Sequence, residues 1–108
     1  MSQVTITQAD DGKAFELRLG DTLVLRLAEN HTAGYQWAVQ QEGEGILVLE
    51  GDNYSAPGGA VVGGGGERTL TFRASKPGLA HLRLELASLF PRDVPVTGRY
   101  NVAISVLS

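Results

Sequence analysis

The chain has 108 residues, 43% of them apolar, enough for one domain with its own core and too few for a second. Nine Lys plus Arg against twelve Asp plus Glu leave a formal charge of −3, the wrong sign for holding a polyanion, so nucleic acid is not an expected partner. With no cysteine, disulfide frameworks, thiolate metal sites and a thiol nucleophile are excluded together, and no apolar run approaches the roughly 20 residues of a membrane helix.

The predicted elements alternate with a period of two. Val4 and Ile6 begin the pattern, Phe15, Leu17 and Leu19 follow, and after a Gly20-Asp21 turn come Leu23, Leu25 and Leu27. Met1 to Asp11 lacks the charged head and apolar stretch of a secretory signal, so a soluble chain is expected; its compartment stays open between the cytoplasm and, for a trimmed product, the periplasm or exterior. Trp37 and Val39 resume the alternation beyond Gly34, and Ile46 to Leu49 is a short apolar run between Gly45 and Gly51. Leu70 and Phe72, then Leu82, Leu84 and Leu86, and last Val102, Ile104 and Val106 complete the series. No stretch of ordinary helix length carries a helical period.

Breaks are predicted at Gly12, Gly20-Asp21, Asn30, Gly43, Gly51-Asp52, Pro57-Gly58, Pro77-Gly78 and Gly98, a spacing of about 8 to 12 residues that belongs to sandwiches and barrels. The reading is an all-β chain: an immunoglobulin-like antiparallel β-sandwich of about seven or eight strands, residues 1–108 forming a single domain with Trp37 between the sheets. Three segments are too long for tight turns, namely Glu29 to Tyr35, Tyr54 to Gly66 and Ala87 to Val96. Long connections cost ordering entropy and in a small domain commonly carry function.

Enzyme chemistry has little material. The histidines are His31 and His81, no Gly-x-Ser-x-Gly elbow is present, and nothing has the spacing of a metal-ligand set, so neither catalysis, metal nor cofactor is expected. The run Gly63-Gly64-Gly65-Gly66 invites a phosphate-loop reading, but Glu67 to Phe72 follows it as a strand-like alternation rather than a helix. Two readings of the run remain open: a loose linker, or a loop whose bare backbone fits a narrow groove and pairs with an extended chain there.

The stretch from Leu19 to Trp37 resembles the chagasin family of cysteine-peptidase inhibitors, which carries an Asn-Pro-Thr-Thr-Gly-Tyr/Phe loop between a Gly-Asp-led strand and a Trp-bearing one. Asn30, Thr32, Gly34 and Tyr35 match, while His31 stands for the proline and Ala33 for the second threonine. A glycine-rich loop followed by Thr71-Phe72-Arg73-Ala74 is similar to the family's second feature, and Tyr100 to Val106 to its closing strand. The family's Arg-Pro-Trp falls on Ser88, Leu89 and Phe90, where only the aromatic character is kept.

The resemblance implies an immunoglobulin-like sandwich whose three loops stand side by side and enter the cleft of papain-like cysteine peptidases, blocking it reversibly and competitively. The implied peptidase-binding residues are Asn30, His31, Thr32, Ala33, Gly34, Tyr35, Gly63, Gly64, Gly65, Gly66, Ser88, Leu89 and Phe90. Thr32 would approach the catalytic thiolate without offering a scissile carbonyl, the glycines would pair with the groove, and Phe90 would stack where the family places an indole. Asn30 would tie its own loop. Tyr35 is either packed at the loop base or a boundary aromatic with a wet hydroxyl, and Phe90 has the competing option of folding back on Leu86. The expected partner is a papain-like cysteine peptidase, with a monomer when free. The alternative is an immunoglobulin-like module that binds a protein or glycan and inhibits no peptidase.

Overall fold

The structure is a computed structural model that describes residues 2–29, 35–55, 66–88 and 98–108. Among the described residues eight strands form: β1 (Gln3–Thr7), β2 (Ala14–Arg18), β3 (Thr22–Glu29), β4 (Tyr35–Glu42), β5 (Leu47–Ser55), β6 (Gly66–Ala74), β7 (Gly78–Ser88) and β8 (Gly98–Leu107). They make two four-stranded sheets, ordered β1-β3-β6-β5 and β2-β8-β7-β4. The expected immunoglobulin-like sandwich is therefore what the alternation builds.

The inner faces are filled by the residues that the two-residue period singles out. Ile6, Leu23, Leu25, Leu27, Leu70 and Phe72 come from one sheet, and Leu17, Trp37, Leu82, Leu84, Tyr100, Val102, Ile104 and Val106 from the other, all buried. Each such aliphatic side chain contributes roughly 1.5–3 kcal/mol by leaving water. The one helical piece among the described residues is a single 3-10 turn at Gln8–Asp10, and no helix there is long and apolar enough to cross a membrane.

The pairings refine the expectation of antiparallel strands. β3–β6, β5–β6, β4–β7 and β7–β8 are antiparallel, whereas the edge pairs β1–β3 and β2–β8 are parallel. The cause is that the start of the chain splits between the sheets, crossing from one to the other at the 3-10 turn. That crossing is held by the Thr7 N–H donating to Asp10 Oδ2 (2.9 Å), by the Tyr100 hydroxyl donating to the Thr7 carbonyl (2.8 Å) and by the Asn101 N–H donating to Asp11 Oδ1 (2.8 Å).

Two predicted details are corrected. Gly51-Asp52 is not a break: β5 runs through it, with Gly51 paired to Thr71 and a register shift between Leu49 and Gly51 where a bulge takes up Glu50. Leu19 does not join the buried face of Leu17 either, since β2 ends at Arg18 and Leu19 is exposed in the turn. At the β4–β5 turn, by contrast, glycine is obligatory. Gly43 has φ +97° and a Cβ there would stand 2.7 Å from the Leu79 carbonyl oxygen.

Candidate functional site

The three long connections leave and re-enter the sandwich at one end. In the first sheet Glu29 closes β3 opposite Gly66, which opens β6, and Ser55 closes β5 opposite Glu67. In the second sheet Tyr35, opening β4, pairs with Ser88, closing β7, and Gly98, opening β8, pairs with Leu86. Neighbouring strands lie about 4.8 Å apart, so within each sheet these roots stand side by side. The sheets are joined there as well: the Trp37 N–H donates to Glu29 Oε2 at 2.8 Å, and the Trp37 Nε1–H to the Ala28 carbonyl at 2.9 Å.

Beneath this end the core closes on a polar layer. Glu29 is 1% exposed and Arg68 8%. Both sit in phase with core positions, Glu29 after Leu23, Leu25 and Leu27, and Arg68 before Leu70 and Phe72. Arg68 Nη1 donates to Glu29 Oε2 at 3.0 Å, Nη2 donates to Asp52 Oδ2 at 2.8 Å, and Nε donates to Asp52 Oδ1. The hydrogen bonds it donates to Asp52, with the charge of Glu29, hold the Arg68 guanidinium above its ordinary pKa although burial opposes this. No buried side-chain polar atom among the described residues lacks a partner, so the layer is satisfied as a unit.

Two glycines seat aromatic rings at the same end. A Cβ on Gly66 would fall inside the van der Waals limits of Tyr54 Oη and the Ser55 carbonyl oxygen, so the Tyr54 ring lies across the bare backbone that opens β6. A Cβ on Gly98 would stand 3.5 Å from Trp37 Cη2 and 3.3 Å from Leu86 Cβ. Trp37 therefore contacts the root of the 30–34 connection and that of the 89–97 connection together.

Of the thirteen sequence-predicted binding residues, three are described. Tyr35 and Ser88 are cross-strand partners in the ladder between β4 and β7, and Gly66 is the first residue of β6. Asn30, His31, Thr32, Ala33, Gly34, Gly63, Gly64, Gly65, Leu89 and Phe90 lie outside the described residues. His81 is partly exposed on β7, with Nδ1 3.9 Å from Glu42 Oε2. Sequence reasoning missed Glu29, Arg68 and Asp52. A signal for the first two exists in the sequence: opposite charges occupying inward positions of two apolar alternations.

The molecule is thus a two-sheet sandwich that gathers the roots of three long interstrand connections at one end. The chain belongs to the chagasin family: the model of the Chagasin family peptidase inhibitor I42 matches residues 16–104. No curated protein sequence matches it. Among solved structures it is similar to the cysteine protease inhibitor EhICP2 from Entamoeba histolytica, with TM-score 0.84 and 14% identity over 98% of this chain and 96% of that one. It is also similar to Amebosin, with TM-score 0.77 and 19% identity over 97% and 98% of the two chains. PbICP-C, solved in complex with falcipain-2, superimposes with TM-score 0.65 and 16% identity over 97% of this chain and 89% of that one. These likenesses establish the shared fold.

Proposed function

We propose that residues 1–108 act as one monomeric domain that inhibits papain-like cysteine peptidases reversibly and competitively, occluding the active-site cleft with the connections 30–34, 56–65 and 89–97 and turning nothing over. The observation that carries this reading is the convergence of all six roots on one end, tied across the sheets by Trp37 and Glu29. Membership of a peptidase-inhibitor family supports it, as does the likeness to PbICP-C, whose structure holds falcipain-2.

The chemistry follows from what such a row can offer. Asn30 to Tyr35 would enter at the catalytic thiolate, with the Thr32 hydroxyl in reach and no scissile carbonyl aligned, so occupancy proceeds without acylation. The backbone at Gly63 to Gly66 would pair with the groove that receives extended substrate, as strand addition does. Phe90, flanked by Ser88 and Leu89, would give the leaving-group side an aromatic contact smaller than an indole, worth on the order of 1 kcal/mol less. A contact of standard size buries about 1,600 Å², and pre-tied roots reduce the ordering cost that otherwise consumes its energy.

The test is a panel of papain-like enzymes with a small peptide substrate. The purified protein should slow hydrolysis competitively and remain intact on a gel afterwards. Absence of inhibition across the panel at micromolar protein overturns the reading and leaves a binding module of another kind.

A further inference from the structure

We propose that Arg68 is a positioning residue for inhibition: its guanidinium, forked between Glu29 and Asp52, sets the spacing of the strands β3, β5 and β6 from which the 30–34 and 56–65 connections spring. This deepens the proposed inhibitory function and rests on it.

Arg68 lies on β6, between β3 and β5 in the sheet, two residues past the root Gly66. One edge of its planar fork meets Glu29, the last residue of β3, and the other meets Asp52 on β5. A rigid fork holding a carboxylate on each side fixes distance and angle together, which a flexible ammonium does not. Glu29 continues the link into the opposite sheet through the Trp37 N–H. The chain of bonds thus runs β5–β6–β3–β4 and reaches the strands that bound both connections.

Direct contact with a docked enzyme does not account for Arg68 and Glu29, whose side chains are 10% and 0% exposed. Stability does not account for them either. A buried ion pair commonly contributes no more than apolar residues of the same volume, and these positions are in phase with leucines that would fill them. Geometry at the roots is the remaining role, and a small misplacement of a reacting or blocking group is costly in a tight cleft.

The test compares papain inhibition and urea unfolding for the parent, Arg68→Met, the double variant Glu29→Gln/Arg68→Met, and Leu17→Ala, whose site pairs with Val106 far from the roots. Both Arg68 variants should raise the inhibition constant on the order of tenfold or more. Leu17→Ala, though destabilised, should stay within about twofold of the parent, since distant sites act independently. The double variant leaves no unpaired buried charge, so it should lose less stability than Arg68→Met, and its inhibition constant separates misplacement from instability. If the parent inhibits and the double variant inhibits equally well, the positioning role is refuted while the inhibitory function stands. The positioning role is refuted equally if Leu17→Ala loses as much inhibition as the double variant. A parent that inhibits no papain-like enzyme removes the inhibitory function, and the positioning role with it.

Discussion

The indole Nε1–H of Trp37 donates to the carbonyl oxygen of Ala28 at 2.9 Å, nine residues back along the chain and in the facing sheet. With the Trp37 backbone N–H on Glu29, this ties the start of β4 to the end of β3 across the sheets. Trp37 thus fills the core and gauges the site together.

Trp37 is the chain's one tryptophan, so its emission reports this position directly. Native protein should emit to the blue, as befits a ring that is 5% exposed, and shift to the red on unfolding. Trp37→Ala should cost about 3–5 kcal/mol as a large core truncation. Trp37→Phe, which keeps most of the apolar contact and loses the indole donor, should cost about 1–3 kcal/mol. Urea unfolding followed by circular dichroism measures both, and equal costs for the two variants would refute the part assigned to the ring.

Gly66→Ala places a methyl where the Tyr54 ring lies. Overpacking of this kind should destabilise the fold by about 1–3 kcal/mol. Adding Tyr54→Ala should recover part of that loss and not all of it, because the Ser55 carbonyl oxygen crowds the same point. A double-mutant cycle in urea reads the coupling, and additive effects would mean that the ring does not sit over Gly66.

Thr32→Arg carries the sharpest consequence for inhibition. A long charged side chain at the position matched to the thiolate contact should abolish inhibition, while the unfolding free energy stays within about 0.5 kcal/mol of the parent. Inhibition by the variant at parental strength would show that the 30–34 connection does not enter the cleft.

Alkaline pH should expose the burial of Tyr100. Burial first, and the charges of Asp10 and Asp11 after it, push its phenol from the ordinary 10.0 up to about 12. The folded state therefore holds this proton more tightly than the unfolded chain, so the contribution to stability is full below pH 10 and is lost as pH rises through about 12. Phenolate absorbance should show a late-titrating tyrosine that disappears in Tyr100→Phe.

Asp21 gives the opposite limb. The N–H groups of Arg18 and Ser2, each donating at 2.9 Å, hold its carboxyl below the ordinary 3.8. A depressed folded value means that its contribution is present above pH 3.8 and is lost as pH falls through the lowered value. Asp21→Asn should accordingly be less stable than the parent at neutral pH, with the difference shrinking in acid. A gap that persists unchanged below that range would assign the loss to shape and not to charge.

The alternation of Leu23, Leu25 and Leu27, of Leu82, Leu84 and Leu86, and of Val102, Ile104 and Val106 determined a sandwich by itself, because the two-residue side-chain period leaves one apolar face per strand and a face must be covered. Val48 and Leu49 were less legible, since an apolar run carries no phase, and both are exposed on β5 although Ile46 and Leu47 are buried. The glycine at 51 looked like an end and proved to be a paired strand residue beside a bulge at Glu50, a distinction made by the neighbouring strand and not by local preference. Tertiary structure alone decided which connections share an end, and it set Arg68 opposite Leu27 in register, within reach of Glu29 and Asp52. The physical reason is that inward charge can be read along one strand, whereas its partner is chosen by pairing between strands that stand 39 and 16 residues away in the chain.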